Sequence, residues 1–130
     1  MQITKRLVLL SALLFCTTAL GAAKKEITVT LTVPDSAWVI AIDQVHEVKN
    51  EMWVISTVSR DPNIMGAQVI STVRASVKLA AGDLPVKHFV IGKTWGWKNK
   101  EPCTFIKNLK QIEKELKSGK LLYRKAQKKR

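Results

Sequence analysis

The stretch Ile27-Thr28-Val29-Thr30-Leu31-Thr32-Val33 alternates aliphatic residues with threonines without a break. A period of two is the signature of a strand with one buried and one wetted face, and valine, isoleucine and threonine favour it further. Pro34-Asp35-Ser36 ends the run. Beyond it, Ala37 to Val48 carries Trp38, Ile40 and Ile42 on one parity. Glu51 to Ser59 carries Met52, Val54 and Val58 on one parity with Trp53 and Ile55 on the other. Lys49-Asn50 between them reads as a two-residue hairpin turn, with Asn50 tolerant of positive φ.

Arg60-Asp61-Pro62-Asn63 is a turn cluster. After Gly66, a strand from Ala67 to Leu79 places Val69, Val73, Ala75, Val77 and Leu79 on one face. Val86 to Ile91 is a fifth candidate, apolar on both parities as in a strand covered on both sides. Successive strands with short turns predict an antiparallel meander over about 27–91. After Gly92 the pattern changes. Pro102 suits the first turn of a helix, and Phe105, Leu109, Ile112 and Leu116 recur at helical spacing, so an amphipathic helix is expected over 102–118 with Ser118-Gly119 as its stop. The fold class expected is α+β: five or so mostly antiparallel strands, one C-terminal amphipathic helix packed on them, and a basic tail over 120–130 too poor in apolar residues to fold.

The N-terminus reads differently from the rest. Lys5 and Arg6 precede the apolar run Leu7 to Phe15, and small residues follow up to Ala23. That is the pattern of a secretory signal peptide, residues 1–23, and it predicts export to the periplasm or the exterior. Lipidation at Cys16 is disfavoured by the bulky Phe15 before it, and the apolar stretch is short for a membrane anchor. The remaining 24–119 segment is one small domain, long enough to bury a core of its own. With Cys16 removed, Cys103 is the lone thiol of the mature chain: a buried hydrophobe, or the link of a disulfide-bonded dimer.

Charge is divided along the chain. Residues 24–86 hold six basic and seven acidic residues, whereas residues 87–130 hold fourteen basic and three acidic, a surplus of +11. Such segregation points to an anionic partner: an anionic polymer, a lipid surface or an acidic protein. Export argues against a role on genomic nucleic acid.

The sequence gives no catalytic signature. His46 and His88 have no cysteine or carboxylate at metal-ligand spacing, the strand serines lie in no nucleophile elbow, and the glycines form no phosphate loop. No metal and no cofactor are expected, and the protein is read as a non-catalytic binding module. Lys93-Thr94-Trp95-Gly96-Trp97-Lys98-Asn99-Lys100 is the most unusual local composition. It serves either as a stacking platform ringed by cations or as a plug closing the core where the sheet hands over to the helix. The candidate binding residues are therefore Trp95, Trp97, Lys93, Lys98 and Lys100 with the helix stripe Lys107, Lys110, Lys114 and Lys117. Two alternatives stand beside this reading. One is an inhibitor or assembly subunit that docks on a larger exported protein through a sheet edge or the loop Arg60 to Gly66. The other is a small hydrolase, which requires Asp35, Asp43, Glu47 or Glu51 to cluster with His46.

Overall fold

Lys49 and Asn50 both take positive φ, 48° and 62°, and close the expected tight hairpin. It joins β2 (Trp38–Val48) to β3 (Glu51–Arg60), and the computed structural model, which describes residues 24–126, builds outward from this pair. The other strands among the described residues are β1 (Lys24–Val33), β4 (Ser71–Ala80), β5 (Val86–Ile91), β6 (Cys103–Ile106) and β7 (Lys120–Arg124). A 3-10 turn, Leu109–Ile112, runs directly into the short helix α1 (Glu113–Lys117). The chain is thus mostly β with one short C-terminal helix. The proposed signal segment, 1–23, and the last residues, 127–130, lie outside the described residues.

The strands form two sheets rather than one meander. β1 pairs antiparallel with β4 alone, while the larger sheet has the order β6-β5-β3-β2-β7. Within it β2 is antiparallel to β3 and β7, but β5 runs parallel to β3 and β6 parallel to β5. The strand faces explain the sorting. β1 and β4 are each apolar on one side only, and their polar sides, with Thr28 Oγ 2.7 Å from Ser76 Oγ, form an outer surface. β3 and β5 are apolar on both parities and occupy the middle of the molecule.

Three layers result. Ile27, Val29 and Leu79 of the small sheet pack on Ile42, Val45, Met52 and Val54, and Leu31 and Val33 pack on Trp38, Val58 and Val90. On the opposite face of the large sheet, Val48, Trp53, Ile55, Phe89 and Ile106 are covered by Leu109, Ile112 and Leu116. A bulge between Ile42 and Gln44 makes this possible, because it shifts the parity of β2 so that Ile42 and Val45 share one face.

Three expectations change. The helix expected over 102–118 is confined to Glu113–Lys117, because Cys103–Ile106 is strand β6 and Asn108, extended at φ −162°, caps the turn that follows by accepting a hydrogen bond from Lys110 N. Leu109, Ile112 and Leu116 keep the helical spacing and share one apolar cluster, whereas Phe105 belongs to another. The segment expected as a tail over 120–130 begins with β7, paired to β2. The strand expected from Ala67 starts at Ser71, which leaves Val69 exposed in the preceding loop.

Gly92 sits at φ +106°, and a β-carbon there would fall 2.1 Å from Val58 O. Gly92→Ala is therefore expected to cost at least about 2 kcal/mol and to lower Tm by about 10 °C, whereas Gly96→Ala, with open space around it, should leave Tm within a few degrees. Thermal unfolding of both variants checks this.

Candidate functional site

The nine candidate residues fall into three groups. Trp95 and Trp97 lie on the loop between β5 and β6, and they differ in role. Trp95 meets Trp38 edge to face with ring centroids 5.0 Å apart and belongs to the apolar cluster of Leu31, Val33 and Val58. It is a plug. Trp97 stacks at a tilt on Trp95, centroids 5.5 Å apart, and stays 39% exposed. It presents an aromatic face to solvent.

A polar clasp holds this loop against β1. Trp95 Nε1 donates to Asn99 Oδ1 at 2.9 Å, and Asn99 Nδ2 donates to Thr32 O at 2.8 Å and to Glu101 Oε1 at 2.9 Å. Glu101 Oε2 accepts from Thr32 N at 3.1 Å and from the Thr32 hydroxyl. Burial works to raise the Glu101 pKa, but hydrogen bonds from Thr32 and Asn99 to the charged form prevail and hold it below the usual glutamate value. Lys98 and Lys100, exposed on either side of Asn99, flank this clasp in sequence.

Four of the remaining five lysines border two clefts that share the 3-10 turn. The first, about 480 Å³, is lined by Lys93, Trp95, Phe105, Lys107 and Gln111 among others. Lys93 Nζ stands 4.6 Å above the Phe105 ring and 5.7 Å above Trp95, so its charge is held over an aromatic floor. The second, about 300 Å³, lies between β2, β7 and α1, with Leu109 and Leu116 in its lining beside Lys110, Lys117 and Arg124. Glu113 is its single acid and pairs with Lys117 at 3.0 Å. Lys114 is exposed on α1.

His46 lines the second cleft and is almost fully buried, with Nε2 2.7 Å from Gln44 Oε1. Burial first, and then the Arg124 charge, push its pKa below the usual value, so the ring is neutral at pH 7. Gln44 and Arg124 carry no signal in the sequence as site residues, because β7 looks like a basic tail and the bulge in β2 leaves no trace in composition, whereas His46, a candidate of the hydrolase alternative, lies beside lysines instead of the acids expected with it.

Three of the four acids named with His46 have separate partners. Asp35 pairs with Arg60 at 3.1 Å at one end of the β2–β3 hairpin, Asp43 accepts from the Thr57 hydroxyl, and Glu51 accepts from Trp53 Nε1 at 3.1 Å beside the turn at the other end. Among the described residues no group of three or more His, Cys, Asp or Glu side chains is placed to hold a metal ion. Cys103 is half-buried on edge strand β6, and burial together with the Glu101 charge pushes its thiol pKa up, away from reactive thiolate. Among the described residues no helix is long and apolar enough to cross a membrane. No protein-family model, curated protein or solved structure matches the chain.

The clasp makes a pH-dependent contribution to stability. Because the folded-state pKa of Glu101 is depressed, the contribution is complete above the usual glutamate value, about 4.5, and is lost as the pH falls through the lower folded-state value. Glu101→Gln should therefore be less stable than the parent at pH 7 and should lose less on acidification from pH 5 to 3. Urea unfolding of the two chains across that range measures the difference.

Proposed function

We propose that the protein is an exported, non-catalytic binding module whose cationic C-terminal surface holds an anionic partner. Export rests on the signal-like pattern of residues 1–23, and the binding reading rests on one observation. Two clefts flank the same 3-10 turn, each with apolar or aromatic side chains in its lining and lysines beside them. Lysine stems lie along apolar surface while their ammonium groups stay in water, so such a cleft suits an anion carried on an apolar framework. Among an anionic polymer, a lipid surface and an acidic protein, this arrangement favours the anionic lipid surface. Long-range attraction comes from Lys93, Lys107, Lys110, Lys114 and Lys117, with Lys98 and Lys100 extending the field, and Trp97 supplies the short-range apolar contact.

Each lysine near an anionic bilayer contributes about 1 kcal/mol at moderate salt. Replacing Lys107, Lys110, Lys114 and Lys117 together by glutamine is therefore expected to weaken sedimentation with phosphatidylglycerol vesicles by more than about tenfold. The parent should release from these vesicles as salt rises and should ignore phosphatidylcholine vesicles. Binding to polyphosphate but not to the vesicles would assign the surface to a polar polymer. Vesicle binding unchanged by the four substitutions would refute the proposed surface.

A further inference from the structure

The second cleft holds a side chain that docking on a bilayer leaves unused. His46 is only 7% exposed yet lines the cleft, and among the described residues its Nδ1 has no hydrogen-bond partner. Gln44 Oε1 stands 2.7 Å from Nε2, and an amide oxygen only accepts, so the neutral ring keeps its one proton on Nε2. Nδ1 is then a buried lone pair without a donor. A second proton there would make a charged donor without an acceptor, which costs more still.

The charge around this imidazole is unbalanced. Arg124 of β7 stands in register with Gln44, and Lys110 comes from the 3-10 turn. Neither makes an ion pair among the described residues. From α1 come Lys117 and Glu113, which pair with each other. β3 places the neutral Trp53 opposite His46, with Glu51 and Lys87 engaged on the Trp53 indole, and β7 places Leu121 on the other side. The unmatched charge is therefore positive, and together with burial it keeps the ring neutral until an anion enters.

The rest of the lining is apolar. Leu109 and Leu116 pack on the cluster of Val48, Trp53 and Ile55, so the cleft wall is continuous with the core. A cleft of about 300 Å³ is at the small end of ligand sites, with room for one short chain and not for a two-chain lipid. The Arg124 guanidinium offers the planar fork that matches a carboxylate. We propose that this cleft takes a free single-chain amphiphile with an anionic head, a medium-chain carboxylate, and that His46 takes up a proton as the ligand binds. Arg124 and Lys110 hold the head, and Leu109 and Leu116 flank the chain. The proton comes from solvent and goes to Nδ1, and no covalent bond of the ligand changes. This rests on the reading of the cleft as a site for an anion on an apolar framework, but it does not require attachment to a bilayer.

The test is calorimetric titration of the purified chain with decanoate below its micelle-forming concentration. One site per chain is expected, with Kd at or below about 100 µM at pH 6 and at least about threefold weaker at pH 8, because the bound anion favours the protonated ring. Decyl sulfate, whose head does not titrate over this range, should show the same trend, and decyltrimethylammonium should not bind. Proton NMR reads the site directly. The chain has two histidines, and saturating decanoate should raise the titration midpoint of His46 while leaving that of His88, on β5, unchanged. Arg124→Gln, at an exposed position, should weaken decanoate binding at least about tenfold and leave Tm within a few degrees. The assay contains no bilayer, so a chain that binds vesicles but not decanoate loses only this proposal, and one that binds decanoate but not vesicles loses only the surface reading. No decanoate binding at either pH, equal binding of the cationic amphiphile, or a His46 midpoint that stays put at saturation would each overturn the proposal.

Discussion

Strand β3 is buried from both sides, and the rest of the molecule is arranged to keep it so. Met52, Val54 and Val58 face the small sheet while Trp53 and Ile55 face the helical segment, and all five are almost inaccessible to solvent. A strand with no polar face needs a layer on each side, because an uncovered apolar face would stay in contact with water. The β1–β4 pair supplies one layer and the 3-10 turn with α1 supplies the other. The parallel pairing of β5 with β3 follows, since residues 61–85 must leave the large sheet to build β4 before returning beside β3.

That arrangement also fixes where exposed chemistry can appear. Crossing out to the small sheet and back produces the long β3–β4 loop with its aliphatic tip. Crossing from β5 to β6 produces the tryptophan loop. Both loops are held by side-chain hydrogen bonds across long stretches of sequence: Ser36 clips the first, with Asp35 holding Arg60 at its start, while Asn99 and Glu101 of the second bind it to Thr32. The clasp is charged and satisfied at each atom named, which is the condition under which a partly buried carboxylate stabilises a fold.

The short α1 is a consequence of the same packing. Five residues would be marginal as an isolated helix, and its stability comes from Leu116, with Leu109 and Ile112 of the preceding turn, on the apolar face of the large sheet. β7 then returns along β2 and places Arg124 beside Lys110 and Lys117. The cationic character of the second cleft therefore arises from two stretches of chain, only one of which looks like a lysine stripe when read linearly.

Local pattern alone determined the strand core of the protein. Period-two alternation located β1, β2 and most of β4, runs apolar on both parities located β3 and β5, the Lys49-Asn50 pair announced the hairpin, and the count of charges located the basic half. Those features depend on near neighbours in the chain, which is why they are legible. What only the tertiary structure decided is pairing: β1 with β4, β5 parallel to β3, and Glu101 with Thr32 across 69 residues. Alternation says that a face is apolar but not which face will cover it. Cys103 to Ile106 shows the same limit, because Phe105 stands at helical spacing from Leu109 yet gains more as part of an edge strand beside β5. The exposure of Met65 was equally unreadable, since a loop residue is buried or free according to what folds over it, and here nothing among the described residues does.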